Sequence, residues 1–235
     1  LIINYFCKSY DKIYIITSSF VYSNFPKNVH ILTPNKKKWF NSSRIYKNII
    51  SSWILFKLLT NEKNIKIFSF QANVYAIIIA KLKLKKIVIR LNSSPQGWAK
   101  NKFHIFLFKF FYSLADRIIV NSYEFKKEIK KIFNLNAVTI YNPLNKYEII
   151  NKSRKRINDN FFNKKKTIKI LNIGRLTKQK NQMLILEAIK ILKKKYNFKL
   201  YIIGKGNEKD NLRLFIKKNK LKNFVKIKNF VKNPY

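Results

Sequence analysis

The stretch IGRLTKQKN, Ile173 to Asn181, places one glycine, one arginine and two lysines between a β-like run and a helix-like run. In an open parallel sheet, ligands bind beyond the carboxyl ends of the strands, and Gly174 stands just past such an end. Glycine there tolerates unusual φ/ψ angles and lets a ligand approach the backbone. The first turn of the following helix offers unpaired N–H groups and the positive end of its dipole, which together favour an anion. Arg175 can grip phosphate oxygens in a bidentate fork, and Lys180 can reach the same group as a point charge. The chemistry on offer is phosphate binding. A solvated basic loop in a lysine-rich chain accounts for the same residues.

The elements that position this corner alternate along the whole chain. Short β-branched runs at Lys12–Thr17, Ile65–Phe70, Lys86–Leu91, Arg117–Ser122 and Ala137–Asn142 are separated by helical stretches at Ser42–Leu59, ANVYAIIIAKL, Lys102–Leu114 and a segment ending at Phe133. Near-continuous apolar strands joined by helices predict parallel βαβ units covered on both faces. Asn142-Pro143 closes that series, and the polar stretch Asn145–Lys166 reads as a linker with one short helix. A second alternation follows: TIKILNIG, a helix over Lys180–Lys195, FKLYIIG, a helix over Glu208–Lys218, and FVKIKNF. In the first of these helices Leu184, Ala188 and Ile191 predict one buried stripe. The expected organisation is α/β with two Rossmann-like domains: residues 1–145, a linker at 146–166, and an incomplete second domain at 167–235.

With 47% hydrophobic residues the 235-residue chain can bury a substantial core, whereas 51 Lys and Arg against 10 Asp and Glu give a formal charge of +41. That excess fits anionic partners such as nucleic acid, acidic membrane or phosphorylated ligands. The lysines are spread along the whole length, so compositional bias fits as well. No zinc-finger spacing, RNP-like strand or recognition-helix signature points to specific nucleic-acid binding. Cys7 is the only cysteine, which rules out an internal disulfide and suits a reducing cytoplasm. His30 and His104 are far apart and lack acidic neighbours at ligand spacing, so no metal site is expected. The aromatic and basic segment NKFHIFLFKFFYSL, which contains His104, fits a buried helix of the first domain. It also fits a helix in the interface of an anionic membrane, which would place the protein at the cytoplasmic face. Ser122 reads as an N-cap with Glu124 in the first turn.

ILNIGRLTKQKNQMLILEAIKIL resembles the opening of the second domain in retaining, family 4 nucleotide-sugar glycosyltransferases of GT-B fold. In that family a G-R-L-x-x-x-K-x-N pattern binds the donor diphosphate through its Arg and Lys, which correspond to Arg175 and Lys180. The similarity continues through LYIIGKGNEKDNLRLFIKKNKLKNFVKIKNFVKNPY, where Gly204 and Gly206 match the family's G-x-G loop. Phe230 and Val231 fall where the family backs the nucleobase, and Asn229 replaces the usual glycine, a residue that also tolerates left-handed backbone. Upstream, SFQANVYAIIIAKLKLKKIVIRLNSSP and LADRIIVNSYEFKKEIKKIFNLNAVTIYNPLN resemble the acceptor-side domain and hinge.

The resemblance implies transfer of a sugar from a UDP- or GDP-sugar to a glycan or lipid-linked acceptor with retention, without a cofactor or a required metal. In such enzymes the two domains flank a cleft that closes on donor and acceptor. In IRLNSSPQGW, Arg90 and Asn92 are candidates for the acceptor side, and an ordinary βα loop is the plainer reading. The family's first strand with its glycine-rich loop is expected before Leu1, and its paired acids after Tyr235. A hexosyltransferase-type enzyme is therefore expected of an intact parent, and no catalytic residue is assigned within these 235 residues.

Overall fold

A computed structural model describes residues 2–18, 25–34, 42–97, 101–155, 159–162, 167–231, 233 and 235, the side chain of residue 4 excepted. They form two compact units, Leu1–Leu144 and Asn145–Tyr235. Trp98 and Pro234, which belong to the stretches quoted above, lie outside the described residues, as do Lys166 and its neighbours in the polar segment.

In the first unit, α1 (Ile2–Phe6) precedes β1 (Ile13–Ile16), which pairs in parallel with β2 (Val29–Leu32). Helix α2 (Arg44–Asn61) leads to a separate four-stranded sheet of β3 (Ile67–Ser69), β4 (Ile87–Leu91), β5 (Arg117–Val120) and β6 (Val138–Thr139), all parallel and in that order. The crossovers are α3 (Asn73–Leu82), α4 (Lys102–Ser113) and α5 (Tyr123–Phe133). Their inward residues join one core, in which Ile77, Ile87, Ile89, Val120, Ile129 and Phe133 are fully buried. Ser122 caps α5 as expected, its Oγ accepting from Phe125 N at 3.1 Å. The strand β2 is an addition to the sequence reading, since the four-residue run VHIL is too short to signal itself.

The second unit begins with α6 (Lys146–Ser153), the short helix expected in the polar segment. Three parallel strands, β7 (Ile168–Ile173), β8 (Phe198–Ile203) and β9 (Val225–Lys228), are joined by α7 (Gln182–Leu192) and α8 (Lys209–Lys218). β8 is almost wholly buried, but β7 forms an edge on which Ile168, Leu171 and Ile173 are half-exposed, so the expected cover on both faces is missing there. The predicted stripe of α7 is also corrected. Leu184, Ala188 and Ile191 are exposed, and Gln182, Leu186 and Ile189 face the core. QMLILEAIKIL is apolar on nearly every side, so periodicity alone could not choose the buried face.

The end of the polar segment packs as part of this unit. Phe161 is buried with Tyr201 and Ile203, and Asp159 sits beneath them. Its carboxylate accepts from Lys228 Nζ at 2.6 Å, from Tyr201 Oη at 2.9 Å and from Phe161 N at 2.9 Å. The Lys228 ammonium, then the tyrosine hydroxyl and the amide, hold this carboxyl at about 2 against the desolvation that pushes it up.

Because the folded value is depressed, the stabilisation is complete above the unfolded value of about 3.9 and is lost as pH falls through about 2. Asp159→Asn should cost about 2 kcal/mol at neutral pH, the scale of hydrogen bonds to a charged group. Urea unfolding of the two proteins at pH 7 and at pH 2 checks this, with the gap expected to shrink in acid.

Candidate phosphate-binding corner

Two loops of the second unit are laced together backbone to backbone. Gly174 N donates to Ile203 O at 3.0 Å, continuing the β7–β8 ladder past its formal end, and Leu176 N donates to Lys205 O at 2.9 Å. Glu208 N returns a bond to Leu176 O at 3.1 Å, and Gly204 N reaches Lys228 O at 3.0 Å. Leu176 is fully buried beneath this seam. The β7–α7 and β8–α8 connections therefore share one fixed backbone at the carboxyl ends of their strands.

Glycine is required at two positions of the seam for steric reasons. A Cβ on Gly204 would lie 1.9 Å from Gly174 O, and one on Gly206 would lie 2.0 Å from Leu176 O. Gly174 differs from the sequence expectation: its φ is not positive, and a Cβ there would meet nothing nearer than Gln182 Nε2 at 3.9 Å. A methyl group at Gly174 would therefore sit in ordinary van der Waals contact with Gln182.

Arg175 and Lys180 are both exposed on this corner, Lys180 within a 3₁₀ turn, Lys178–Lys180, that precedes α7. The helix starts at Gln182, two residues later than expected. Neither cationic head group bonds or ion-pairs with another described residue. Asn181, in left-handed backbone with φ 45°, precedes α7 without capping its amides through a side chain. Gln182 is buried and donates through Nε2 to Arg175 O at 3.1 Å, which fixes the arginine's backbone. Among the described residues four buried side-chain oxygens have no partner, and three of them, on Asn172, Thr177 and Gln182, belong to the β7–α7 segment. Unsatisfied buried polar atoms are rare in folded proteins, and three of the four described here fall within this one segment. Sequence reading missed all three; the one signal was a glutamine at a core position of an otherwise apolar helix.

Other candidates diverge. Val231 packs on Phe161, Tyr201 and Ile203, whereas Phe230 is exposed. Asn229 is not left-handed; its Oδ1 accepts from Lys209 Nζ at 2.7 Å. In the first unit Arg90 is buried, and its Nη2 donates to Ile140 O at 3.0 Å and Asn142 Oδ1 at 2.8 Å, tying β4 to the chain leaving β6. Asn92 is exposed and donates to Phe70 O at 3.2 Å. The loop after β4 is pinned to α5 by the Ser94 hydroxyl on Glu128. His30 packs on the Tyr14 ring, His104 is exposed in the first turn of α4, and no metal-holding group of His, Cys, Asp or Glu occurs among the described residues.

Residues 153–235, which contain the corner, match the family model "Glycosyl transferases group 1". The chain is 31% identical over 211 residues to an uncharacterized glycosyltransferase of Methanocaldococcus jannaschii, covering 81% of this chain and 51% of that protein. It is 29% identical over 168 residues to an N-acetylgalactosamine-N,N'-diacetylbacillosaminyl-diphospho-undecaprenol 4-alpha-N-acetylgalactosaminyltransferase of Campylobacter jejuni, covering 68% of this chain and 45% of that enzyme. The chain thus spans about half the length of these relatives. Among solved structures it resembles HepE of Anabaena, determined with UDP and glucose, at a TM-score of 0.60 and 15% identity over 87% of this chain and 56% of that one. The fold class is GT-B: α/β, with Rossmann-like units built on parallel sheets.

Gly204→Ala and Gly206→Ala should each destabilise the second unit by about 1–3 kcal/mol, the cost of overpacking a tight contact. Gly174→Ala should cost less than about 1 kcal/mol, as at an unconstrained site. Thermal unfolding of the three variants beside the parent protein checks the order.

Proposed function

We propose that the corner binds the diphosphate of a nucleotide-sugar, a UDP- or GDP-sugar, within a retaining glycosyltransferase of family 4 that delivers the sugar to a glycan or lipid-linked acceptor. The observation that carries this reading is the pair of unpartnered cations, Arg175 and Lys180, on a backbone held rigid by the glycine seam. A diphosphate leaving group gains negative charge as the glycosidic bond breaks. Cations already in place stabilise that charge without reorganising at the moment of reaction. Arg175 offers a planar fork for two phosphate oxygens, and Lys180 a mobile point charge from the turn before α7. The uncapped first turn of α7 adds amide donors and the helix dipole to the same field.

The remaining donor contacts follow from placement. Gly174 has no side chain to stand between a ligand and the backbone at the strand end. The exposed ring of Phe230 is available to a nucleobase, whereas Val231 supports the strand from within its cluster. Gly204 and Gly206 act through the seam, holding the loop that faces the donor. On the acceptor side Asn92 is the exposed candidate. Arg90 acts behind it, fixing the end of β4 against Ile140 and Asn142. Similarity to an enzyme that uses a diphospho-undecaprenol acceptor and to a fold determined with UDP supports both halves of the reading.

Isothermal titration of the full chain with UDP and with GDP tests the donor site. Arg175→Ala and Lys180→Ala should each weaken the tighter of the two nucleotides about tenfold, the equivalent of one charge-assisted hydrogen bond. Lys222→Ala, in another loop, should leave it unchanged. Undiminished binding after both corner substitutions sinks the site.

A further inference from the structure

The helices α2, α3 and α4 lie side by side, with α3 packed against both neighbours. Their inward residues, among them Leu55, Leu59, Ile77, Ala80 and Tyr112, belong to a single core. The opposite side of these helices is also apolar. On α4, Phe103, Phe106 and Phe110 recur at i, i+3 and i+7, opposite Ile105, Phe108 and Tyr112, and they are 65%, 65% and 52% exposed. On α2, Tyr46, Ile49 and Trp53 repeat the same spacing away from Leu55 and Leu59, and Trp53 is 58% exposed. Ile78 and Leu82 continue the surface across α3. The expectation that the aromatic segment of α4 is simply buried is thus half right: one face is core, and the other is open.

Charge around this surface has one sign. Lys57 lies over the Trp53 ring at 5.3 Å, Lys83 over the Phe56 ring at 3.9 Å, and Lys102 and Lys109 flank the phenylalanine stripe. From Arg44 to Ser113 the sequence holds one acidic residue, Glu62. Glu62 is turned to Lys12 and the Tyr14 hydroxyl at the end of α2. Asp116, just beyond α4, is bonded to Lys81 and to Ile87 N. No free acid among these groups offsets the lysines.

We infer that the outer face of α2, α3 and α4 docks on an anionic lipid surface. A large exposed apolar patch on a folded unit marks an interaction site, and stripes on three adjacent helices make a broad face. Aromatic rings with Trp and Tyr among them suit the headgroup boundary, and unpaired lysines beside them suit acidic headgroups. Basic residues alone would give adsorption driven only by charge. The phenylalanines supply the apolar contact that salt does not screen. Among the described residues no helix is long and apolar enough to cross a membrane, so the contact is one of the surface. This face belongs to the first unit and the donor corner to the second, and neither inference depends on the other.

Co-flotation of the full chain with phosphatidylcholine vesicles, with and without phosphatidylglycerol, tests the inference. The protein should float only with the anionic vesicles. The triple variant Phe103→Ser, Phe106→Ser, Phe110→Ser should lower the partition constant about tenfold or more, because buried ring area is lost. The charge control Lys217→Gln, Lys218→Gln, Lys222→Gln, on and beyond α8 in the second unit, should change it by less than about threefold, because those lysines are not part of the proposed face. Far-UV circular dichroism and the thermal midpoint of the serine variant should match the parent, which separates loss of docking from loss of fold. Equal losses in the two triple variants, no flotation with anionic vesicles, or a solution dimer that the serine variant dissociates would each overturn the proposal.

Discussion

The second unit is organised around the close approach of two loop backbones. Four hydrogen bonds join the connection after β7 to the chain after β8 and, through Gly204, to the end of β9. They form only because the chain at Gly204 and Gly206 carries no side chain where Gly174 O and Leu176 O lie. Loops at strand ends are ordinarily the most mobile parts of an α/β unit, and function there depends on a rigid scaffold beneath. Here the scaffold extends into the loops themselves. Arg175 and Lys180 gain their meaning from this, since a cation on a wandering loop spends binding energy on ordering before it contributes any.

That constraint separates two kinds of positive charge in one chain. The chain holds 51 basic residues, and dispersed surface lysines have little effect on stability or selectivity once salt screens them. Several have specific tasks. Lys228 holds Asp159, Lys81 holds Asp116, and Lys193 and Lys199 reach the carbonyls of Asn219 and Asn223. Arg175 and Lys180, by contrast, have no side-chain partner among the described residues, and they stand beside the backbone that the glycine seam fixes. Selectivity for an anion then comes from geometry, whereas the formal +41 sets only the background field.

How much of this was legible in the sequence follows from what each signal measures. Alternating apolar strands and amphipathic helices located nearly every element, because burial on both faces forces long β-branched runs such as FKLYII. Helix α5 was plain because YEFKKEIKKIF has one apolar side and Ser122 to cap it. Helix α7 was located but its face was misread, since an all-apolar helix carries no phase information. The Asp159–Phe161 segment looked like linker because its neighbours are polar; a single aspartate becomes an anchor only when Tyr201 and Lys228 arrive from strands 42 and 69 residues away. The corner showed its cations in the sequence but not its seam, because a close approach between two loops is a tertiary fact. The unpartnered oxygens of Asn172, Thr177 and Gln182 were likewise invisible, since exposure is not written in residue type.

The same limit explains α4, and it shows why composition alone could not decide between core and interface. KFHIFLFKFFYS is rich enough in rings to cover a sheet twice over, and a helix can turn only one side inward. Packing against the core uses Ile105, Phe108 and Tyr112, which leaves Phe103, Phe106 and Phe110 exposed among the described residues. An isolated exposed phenylalanine is commonplace on soluble proteins. Three on one helical line, beside a similar line on α2 and without a free acid nearby, form a surface whose chemistry is apolar at the centre and cationic at the rim. Bulk water is a poor solvent for that combination. A layer that offers hydrocarbon, ring-compatible headgroups and negative charge within a few ångströms of one another matches all three of its features.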